Sequence, residues 1–128
     1  MEPKWDTLAD FLIERFPGLR SQVEDSYFFW SESGSSPYPH FFLEEFLLPI
    51  LAGREPNARS DGIRSEAGAV LDILLTSPDE DLASAALTSV IETLRDSPEL
   101  RAEALPFLGS TARTWLDRLL LENPGRGE

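Results

Sequence analysis

Residues 69–94 read AVLDILLTSPDEDLASAALTSVIETL, and this stretch decides the fold class. Apolar side chains recur every three or four positions on both sides of a central turn, which is the spacing of one helix face. The turn, Ser77-Pro78-Asp79-Glu80, has the composition of a helix start, with Ser77 as the N-cap and Glu80 reaching back to it. We therefore predict one helix that ends near Thr76 and another that runs from this turn to about Leu94.

The same junction recurs as Ser97-Pro98-Glu99, which indicates stacked helices of the kind found in helical repeats. Helical spacing also extends from Trp5 to Phe16, from Phe42 to Ile50 and over the last apolar segment, and no strand-like alternation competes with it. We predict an all-α fold of five to six helices, an antiparallel helical bundle that resembles a short helical-repeat stack. It forms a single domain over residues 1–128, with a frayed tail from residue 120.

Several helix boundaries can be placed from single residues. Pro17-Gly18 ends the first helix, and a short helix over Leu19–Tyr27 follows. In the helix after the loop, Pro49 either introduces a kink or restricts the last turn, and Gly53 ends the helix. We also expect two serines, Ser60 and Ser110, to cap the helices that follow them.

Composition excludes several classes of site. The chain has no cysteine, so it contains neither a disulfide nor a thiolate nucleophile. No apolar run approaches the roughly 20 residues that a membrane-spanning helix requires, and the acidic N-terminus does not resemble a secretory signal. We therefore expect a cytoplasmic protein that does not enter a membrane.

The formal charge of −12 is concentrated in two segments. Neither residues 21–53 nor residues 65–94 contain a lysine or arginine, and together they hold eleven acids. We call them the first and second acidic blocks. Such surfaces repel nucleic acid and attract basic partners, so we expect a protein partner and no nucleic acid. The sequence leaves open which block forms the contact.

The only histidine, His40, limits the enzymatic alternatives. A Ser-His-Asp triad would have to use it, but no nucleophile turn of the G-x-S-x-G type is present. His40 and Glu44 have the i,i+4 spacing of a metal pair, yet that spacing is also typical of ordinary helix support. We predict no catalytic residues, no metal and no cofactor, while a hydrolase or metal enzyme centred on His40 remains an alternative.

The most unusual segment is SYFFWSESGSSPYPHFF, residues 26–42, which contains seven of the thirteen aromatic residues. A helix cannot bury four consecutive aromatics on one face, so at least one of residues 27–30 should lie near the surface. Aromatic anchors ringed by acids suit a protein interface. The alternative is a loop that folds back over the core. The predicted partner-binding residues are Glu24, Asp25, Trp30, Glu32, Tyr38, Glu44 and Glu45.

Three segments carry a resemblance to a known family: PHFFLEEFLLPIL (Pro39–Leu51), residues 69–94, and LPFLGSTARTWLDRL (Leu105–Leu119). Over about residues 37–119 the chain resembles small, acidic, helical bacterial proteins that are often encoded beside polymorphic toxins and are regarded as immunity-type proteins. The resemblance treats Pro39-His40 as a structural helix start and brings no catalytic residues. It implies that the chain binds and neutralises a cognate toxin with a basic surface. The alternative function is a helical scaffold or adaptor in a constitutive complex or homodimer.

Overall fold

The computed structural model describes residues 7–22, 24–25, 40 and 43–122, and every regular element within those ranges is helical. Seven α-helices are present there, slightly more than the five to six predicted. They are α1 (Leu8–Arg15), α2 (Leu48–Leu51), α3 (Asp61–Leu75), α4 (Glu80–Ala86), α5 (Glu92–Asp96), α6 (Pro98–Ala104) and α7 (Ser110–Glu122). Short 3-10 turns cover Pro17–Leu19 and Leu105–Phe107, and π-helical segments cover Leu43–Leu47 and Leu87–Ile91. The all-α prediction is confirmed.

Helix α3 lies at the centre and contacts α2, α4 and α7. Its inward side chains are buried as the apolar spacing predicted, and they join one continuous core with residues of every other α-helix. Gly68 is part of this buried face, because the carbonyl of Phe107 occupies the place where a Cβ would lie. The core therefore includes a backbone-to-backbone contact that only glycine permits at that position.

The two Ser-Pro junctions differ in their caps. Ser97 accepts a hydrogen bond from the Leu100 N–H and begins α6 with Pro98, as predicted. At the earlier junction the prediction was wrong: the N-cap is Asp79, whose Oδ1 accepts from the N–H groups two and three residues later. Ser77 instead accepts from the Asp79 N–H, so Pro78 lies outside the helix. Glu99 occupies the position at the second junction that Asp79 occupies at the first. Aspartate is a strong N-cap residue and glutamate is not, so Ser97 remains the cap there.

The start of α7 is held from another helix. The N–H of Ala112 donates to Oδ1 of Asp72 on α3, at 2.9 Å, where the sequence suggested Ser110 as the cap. The same carboxylate fills the space beside Gly109. By contrast, Ser60 caps α3 as predicted, accepting from the N–H of Ile63. The last helix also continues through Glu122, beyond the predicted start of the tail at residue 120.

Arg64, in the first turn of α3, connects the ends of two other helices. One guanidinium nitrogen donates to the carbonyl oxygens of Leu51 and Glu103, at 2.9 and 2.8 Å, at the ends of α2 and α6. The guanidinium also lies 4.0 Å from the ring centroid of Phe107. Gly53, with φ of +69°, ends α2 beside it, as the sequence predicted. The planar fork of arginine suits this site because it donates and stacks at the same time.

The N-terminal part is only partly described. Leu8, Phe11, Leu12 and Phe16 are buried as predicted, while Trp5 lies outside the described residues. Of the predicted helix at 19–27, residues 20–22 and 24–25 are helical. No helix in the described ranges is both long enough and apolar enough to span a bilayer.

Candidate protein-binding surface

The first part of the predicted surface follows the turn after α1. Leu19 is buried at the end of that turn, and the chain then continues as the helical residues that carry Glu24 and Asp25. Both acids are exposed. Glu24 Oε1 lies 3.3 Å from Nε of Arg20, an i,i+4 pair whose two side chains are both more than half exposed. Because water screens such a pair, it contributes little to folding and does not prevent either charge from meeting a partner.

The second part is the π-helical segment Leu43–Leu47. Leu43, Phe46 and Leu47 point into the core, whereas Glu44 and Glu45 are exposed. The segment directly precedes the helix start that contains Pro49, which has no N–H to donate to the carbonyl of Glu45. Within the described part of the chain, neither Glu44 nor Glu45 forms an ion pair.

A buried aromatic contact connects the two parts. The rings of Phe16 and Phe46 meet edge to face, with centroids 5.8 Å apart. Phe16 directly precedes the turn that leads to Glu24 and Asp25, and Phe46 follows Glu45. The two acid-bearing segments are therefore anchored to the same part of the core. The predicted anchors Trp30, Glu32 and Tyr38 lie outside the described residues and stay predictions.

An apolar groove, which was not predicted from the sequence, opens beside the turn that precedes Glu24 and Asp25. It has a volume of about 310 Å³ and lies between the turn after α1 and the start of α3. Phe16, Leu19 and Ile63 supply its apolar wall. The ion pair between Arg15 and Glu66, at 2.7 Å, lies at its edge. Residues 16–19 and 62–66 are distant in sequence, so only the packing of the helices creates the groove.

Acids of the second block serve the fold itself. Asp72 and Asp79 cap helices, and Glu66 pairs with Arg15. Glu92 lies near Arg95, just beyond the block. The pKa of Arg95 is raised, first by its hydrogen bond to Asp96 and further by the charges of Asp96 and Glu92, against the opposing effect of burial. The other two acids, Glu80 and Asp81, occupy the first turn of α4, where negative charge stabilises a helix.

His40 is engaged with a buried serine. Its Nδ1 lies 2.9 Å from Oγ of Ser89, in the π-helical segment Leu87–Ile91, and Ser89 is only 1% exposed. The Ser89 carbonyl in turn accepts from the hydroxyl of Thr93. The Ser89 hydroxyl is thus shielded from solvent, and its contact with His40 connects two segments of the chain. Among the described residues, no group of three or more histidines or acids is placed to hold a metal ion.

Comparison of the chain with protein-family models, with curated proteins and with solved structures gave no match.

Proposed function

We propose that this chain binds a protein partner with a basic surface, and that it neutralises a cognate toxin in the manner of an immunity-type protein. The observation that carries the proposal is the different use of the two acidic blocks. Acids of the second block cap helices, pair with arginines or occupy a first helical turn. Asp25, Glu44 and Glu45 of the first block are exposed and form no ion pair in the described part of the chain.

These exposed acids have a physical role in association. A patch of one sign raises the rate at which an oppositely charged partner reaches the surface, from about 10⁵–10⁶ M⁻¹s⁻¹ toward 10⁸ M⁻¹s⁻¹ or more at low salt. Such steering adds rate and orientation, while affinity comes from a desolvated centre.

We assign one part of this desolvated centre to the groove of about 310 Å³. Trp30 and Tyr38, as aromatic anchors, supply the rest. The groove presents an apolar wall, and the one acid among its described lining residues, Glu66, is paired with Arg15. It therefore fits an apolar part of a partner side chain, such as the aliphatic stem of lysine or arginine, while the exposed acids of the first block attract its charge.

The test uses the product of the neighbouring gene as the partner. It is co-expressed with this chain, the complex is isolated, and association is followed by stopped-flow fluorescence over a range of salt concentrations. The test variant carries Glu24→Gln, Asp25→Asn, Glu44→Gln and Glu45→Gln. We expect it to associate about tenfold or more slowly at low salt and with a weaker salt dependence.

The matched control removes the same four charges elsewhere, with Glu80→Gln, Asp81→Asn, Glu99→Gln and Glu103→Gln, all at exposed positions. Its association rate should fall much less than that of the test variant. Equal slowing by both sets would assign the effect to net charge and reject the first block as the contact. Growth of cells that express the neighbouring gene product reports neutralisation separately: rescue by the wild-type chain is expected, and binding without rescue would favour the scaffold or adaptor function.

A further inference from the structure

A cleft between α4 and α7 lies in a part of the chain to which the proposed function assigns no contact. It has a volume of about 270 Å³, and Leu75 at the end of α3 and Trp115 of α7 form two of its walls. A third wall is one side of α4 with the residue that follows it, at i, i+3, i+4, i+7 spacing: Glu80, Ala83, Ser84 and Leu87. We call it the α4 cleft. Its volume is close to the lower end of the range for small-molecule sites, about 300–1,000 Å³.

The walls of the α4 cleft are mostly apolar. Leu75, Leu87 and Trp115 pack against the core but are only half-buried, so each keeps part of its apolar surface in contact with water. A hydrocarbon chain in the cleft would remove that surface from water, which is favourable. Glu80 and Leu87 are seven residues apart, so the cleft follows about two helical turns, roughly 10 Å. That length suits a single extended chain.

One end of the α4 cleft is negative. Glu80, at the start of α4, is exposed and forms no ion pair in the described part of the chain. It stands between Asp79 and Asp81, and residues 65–94 contain no lysine or arginine. The start of a helix carries only about half a positive charge, so three consecutive carboxylates keep this end negative. Glu80 is also the one charged residue among the described walls, so the end at Leu87 is uncharged.

The nearest arginine on α7 does not fill the α4 cleft. Arg118 lines a separate notch, on which Trp115 also borders, and its guanidinium lies 5.0 Å from the centroid of the Trp115 ring. Because the ring already has a cation beside it, a cationic ligand gains more from the carboxylate of Glu80 than from the ring. Trp115 is therefore an apolar wall, and Glu80 is the group that meets the charge.

We infer that the α4 cleft binds a free aliphatic amine, a small molecule with one ammonium group and an unbranched hydrocarbon tail. The ammonium group lies at the end formed by Glu80 and Ser77, and the tail lies along Ala83 and Leu87 against the indole of Trp115. Both parts of the ligand are complementary to what they meet, in charge at one end and in apolar surface along the rest.

A lysine side chain of a protein has a similar stem and charge, but it fits this arrangement less well. With its ammonium group at Glu80, its backbone would lie toward Leu87, where polar amides would lose water without gaining hydrogen-bond partners. A free amine ends there in a methyl group. The cleft is also far smaller than the roughly 800 Å² that each partner buries in a stable protein complex. The inference does not rest on the proposed function, which assigns the protein partner to the first acidic block.

Titration of the ¹⁵N-labelled full chain with hexylammonium chloride, followed by heteronuclear NMR at pH 7 and constant ionic strength, tests this directly. The chain has three tryptophans, and the indole N–H signal of Trp115 is the one that the Trp115→Phe variant lacks. We expect this signal to shift and to saturate with a dissociation constant of roughly 1 mM, since the ligand is small and the ion pair is exposed. Hexanoate, with a negative head group, should give no saturable shift.

The uncharged ligand 1-hexanol separates the contribution of the charge from that of the tail. Hexylammonium should bind the wild type about threefold more tightly than 1-hexanol, as expected for an exposed ion pair. Glu80→Gln should abolish this difference by weakening only the binding of hexylammonium. Asp81→Asn is the matched control, because it removes the same charge one residue later, at an exposed position that does not line the cleft. It should preserve most of the difference.

A variant that fills the α4 cleft tests the place of the tail. Ser84→Leu adds an aliphatic side chain at an exposed position in the cleft wall, and that side chain should occupy the cleft itself. It should weaken the binding of both hexylammonium and 1-hexanol by about tenfold or more. Ala102→Leu, at an exposed position on α6, is its control and should bind both ligands as the wild type does.

Three results would overturn the inference. The first is the absence of a saturable shift at Trp115 up to about 20 mM hexylammonium. The second is equal weakening of both ligands by Glu80→Gln, or by Ser84→Leu and Ala102→Leu alike. The third concerns the source of the amine: the blocked lysine Nα-acetyl-lysine methylamide should bind more weakly than hexylammonium, and tighter binding would assign the cleft to a lysine of a protein.

Discussion

The cap that Asp72 provides for α7 gives a quantitative test of how the helices are held together. Asp72→Ala removes the acceptor for the Ala112 N–H, which lies 2.9 Å from the carboxylate in a partly buried position. Loss of an N-cap costs about 1 kcal/mol, and loss of the negative charge at the helix start adds about 0.3–1 kcal/mol. We therefore expect a destabilisation of about 1.5–2 kcal/mol. Asp72→Asn keeps an oxygen acceptor and should cost only the smaller charge component.

A double-mutant cycle that combines substitutions at Asp72 and Gly109 tests the same contact. A Cβ at residue 109 would overlap the Asp72 carboxylate, so Gly109→Ala should displace that side chain and break the same hydrogen bond. Once the carboxylate is gone, the methyl group has room. The two substitutions should therefore be strongly non-additive: the double variant should cost little more than either single variant, with a coupling of about 1–2 kcal/mol.

Urea denaturation followed by circular dichroism measures each corner of the cycle, with a shift in Tm of roughly 4 °C per kcal/mol as a second readout. Asp117→Ala is the control, since Asp117 is exposed within α7, and it should change stability by less than about 0.5 kcal/mol. Additive effects of Asp72→Ala and Gly109→Ala would refute the shared contact. Equal costs for the alanine and asparagine variants at Asp72 would show that charge, not the hydrogen bond, stabilises the start of α7.

Two other substitutions test the centre of the fold by the same urea denaturation. Gly68→Ala should cost about 3 kcal/mol, because its Cβ meets the backbone carbonyl of Phe107, whereas Gly62→Ala on the same helix has open space and should stabilise by up to about 1 kcal/mol. Equal effects of the two would contradict the close approach. Arg64→Lys should cost about 2 kcal/mol, because lysine reproduces neither the hydrogen bonds to two helix ends nor the stacking. The exposed Arg59→Lys is its control and should be within about 0.5 kcal/mol of wild type; a similar small cost at residue 64 would show that the fork geometry is dispensable.

The sequence predicted the parts of the fold that depend on local chemistry. Apolar spacing identified the buried faces of α3 and α4 because a helix has one period wherever it lies. Ser60, Ser97 and Gly53 were placed correctly for the same reason, since each acts on its own neighbouring backbone groups. The error at Ser77 arose because two strong N-cap residues stand two positions apart there, and local preference alone does not choose between them.

What the sequence did not predict depends on residues distant along the chain. The cap on α7 comes from forty positions earlier, and the bond between His40 and Ser89 spans forty-nine. Apolar spacing predicted one continuous helix through Leu87–Ile91, but this segment is π-helical. A π turn inserts one extra residue, and no particular residue type marks that insertion in the sequence. The groove beside Leu19 likewise forms only when the segments that line it are packed together.

The role of each acid also depends on its contacts in the folded chain. The number of acids in the two base-free blocks therefore does not show which of the eleven face a partner. An aspartate whose carboxylate accepts backbone N–H groups is needed by the folded chain, so its removal lowers stability and confuses any binding measurement. That applies to Asp72 and Asp79. An exposed glutamate on a segment whose apolar neighbours are buried, such as Glu44, can be neutralised with little effect on the core. The first block is thus the surface at which a change in association rate can be assigned to contact with a partner, since unfolding does not accompany it.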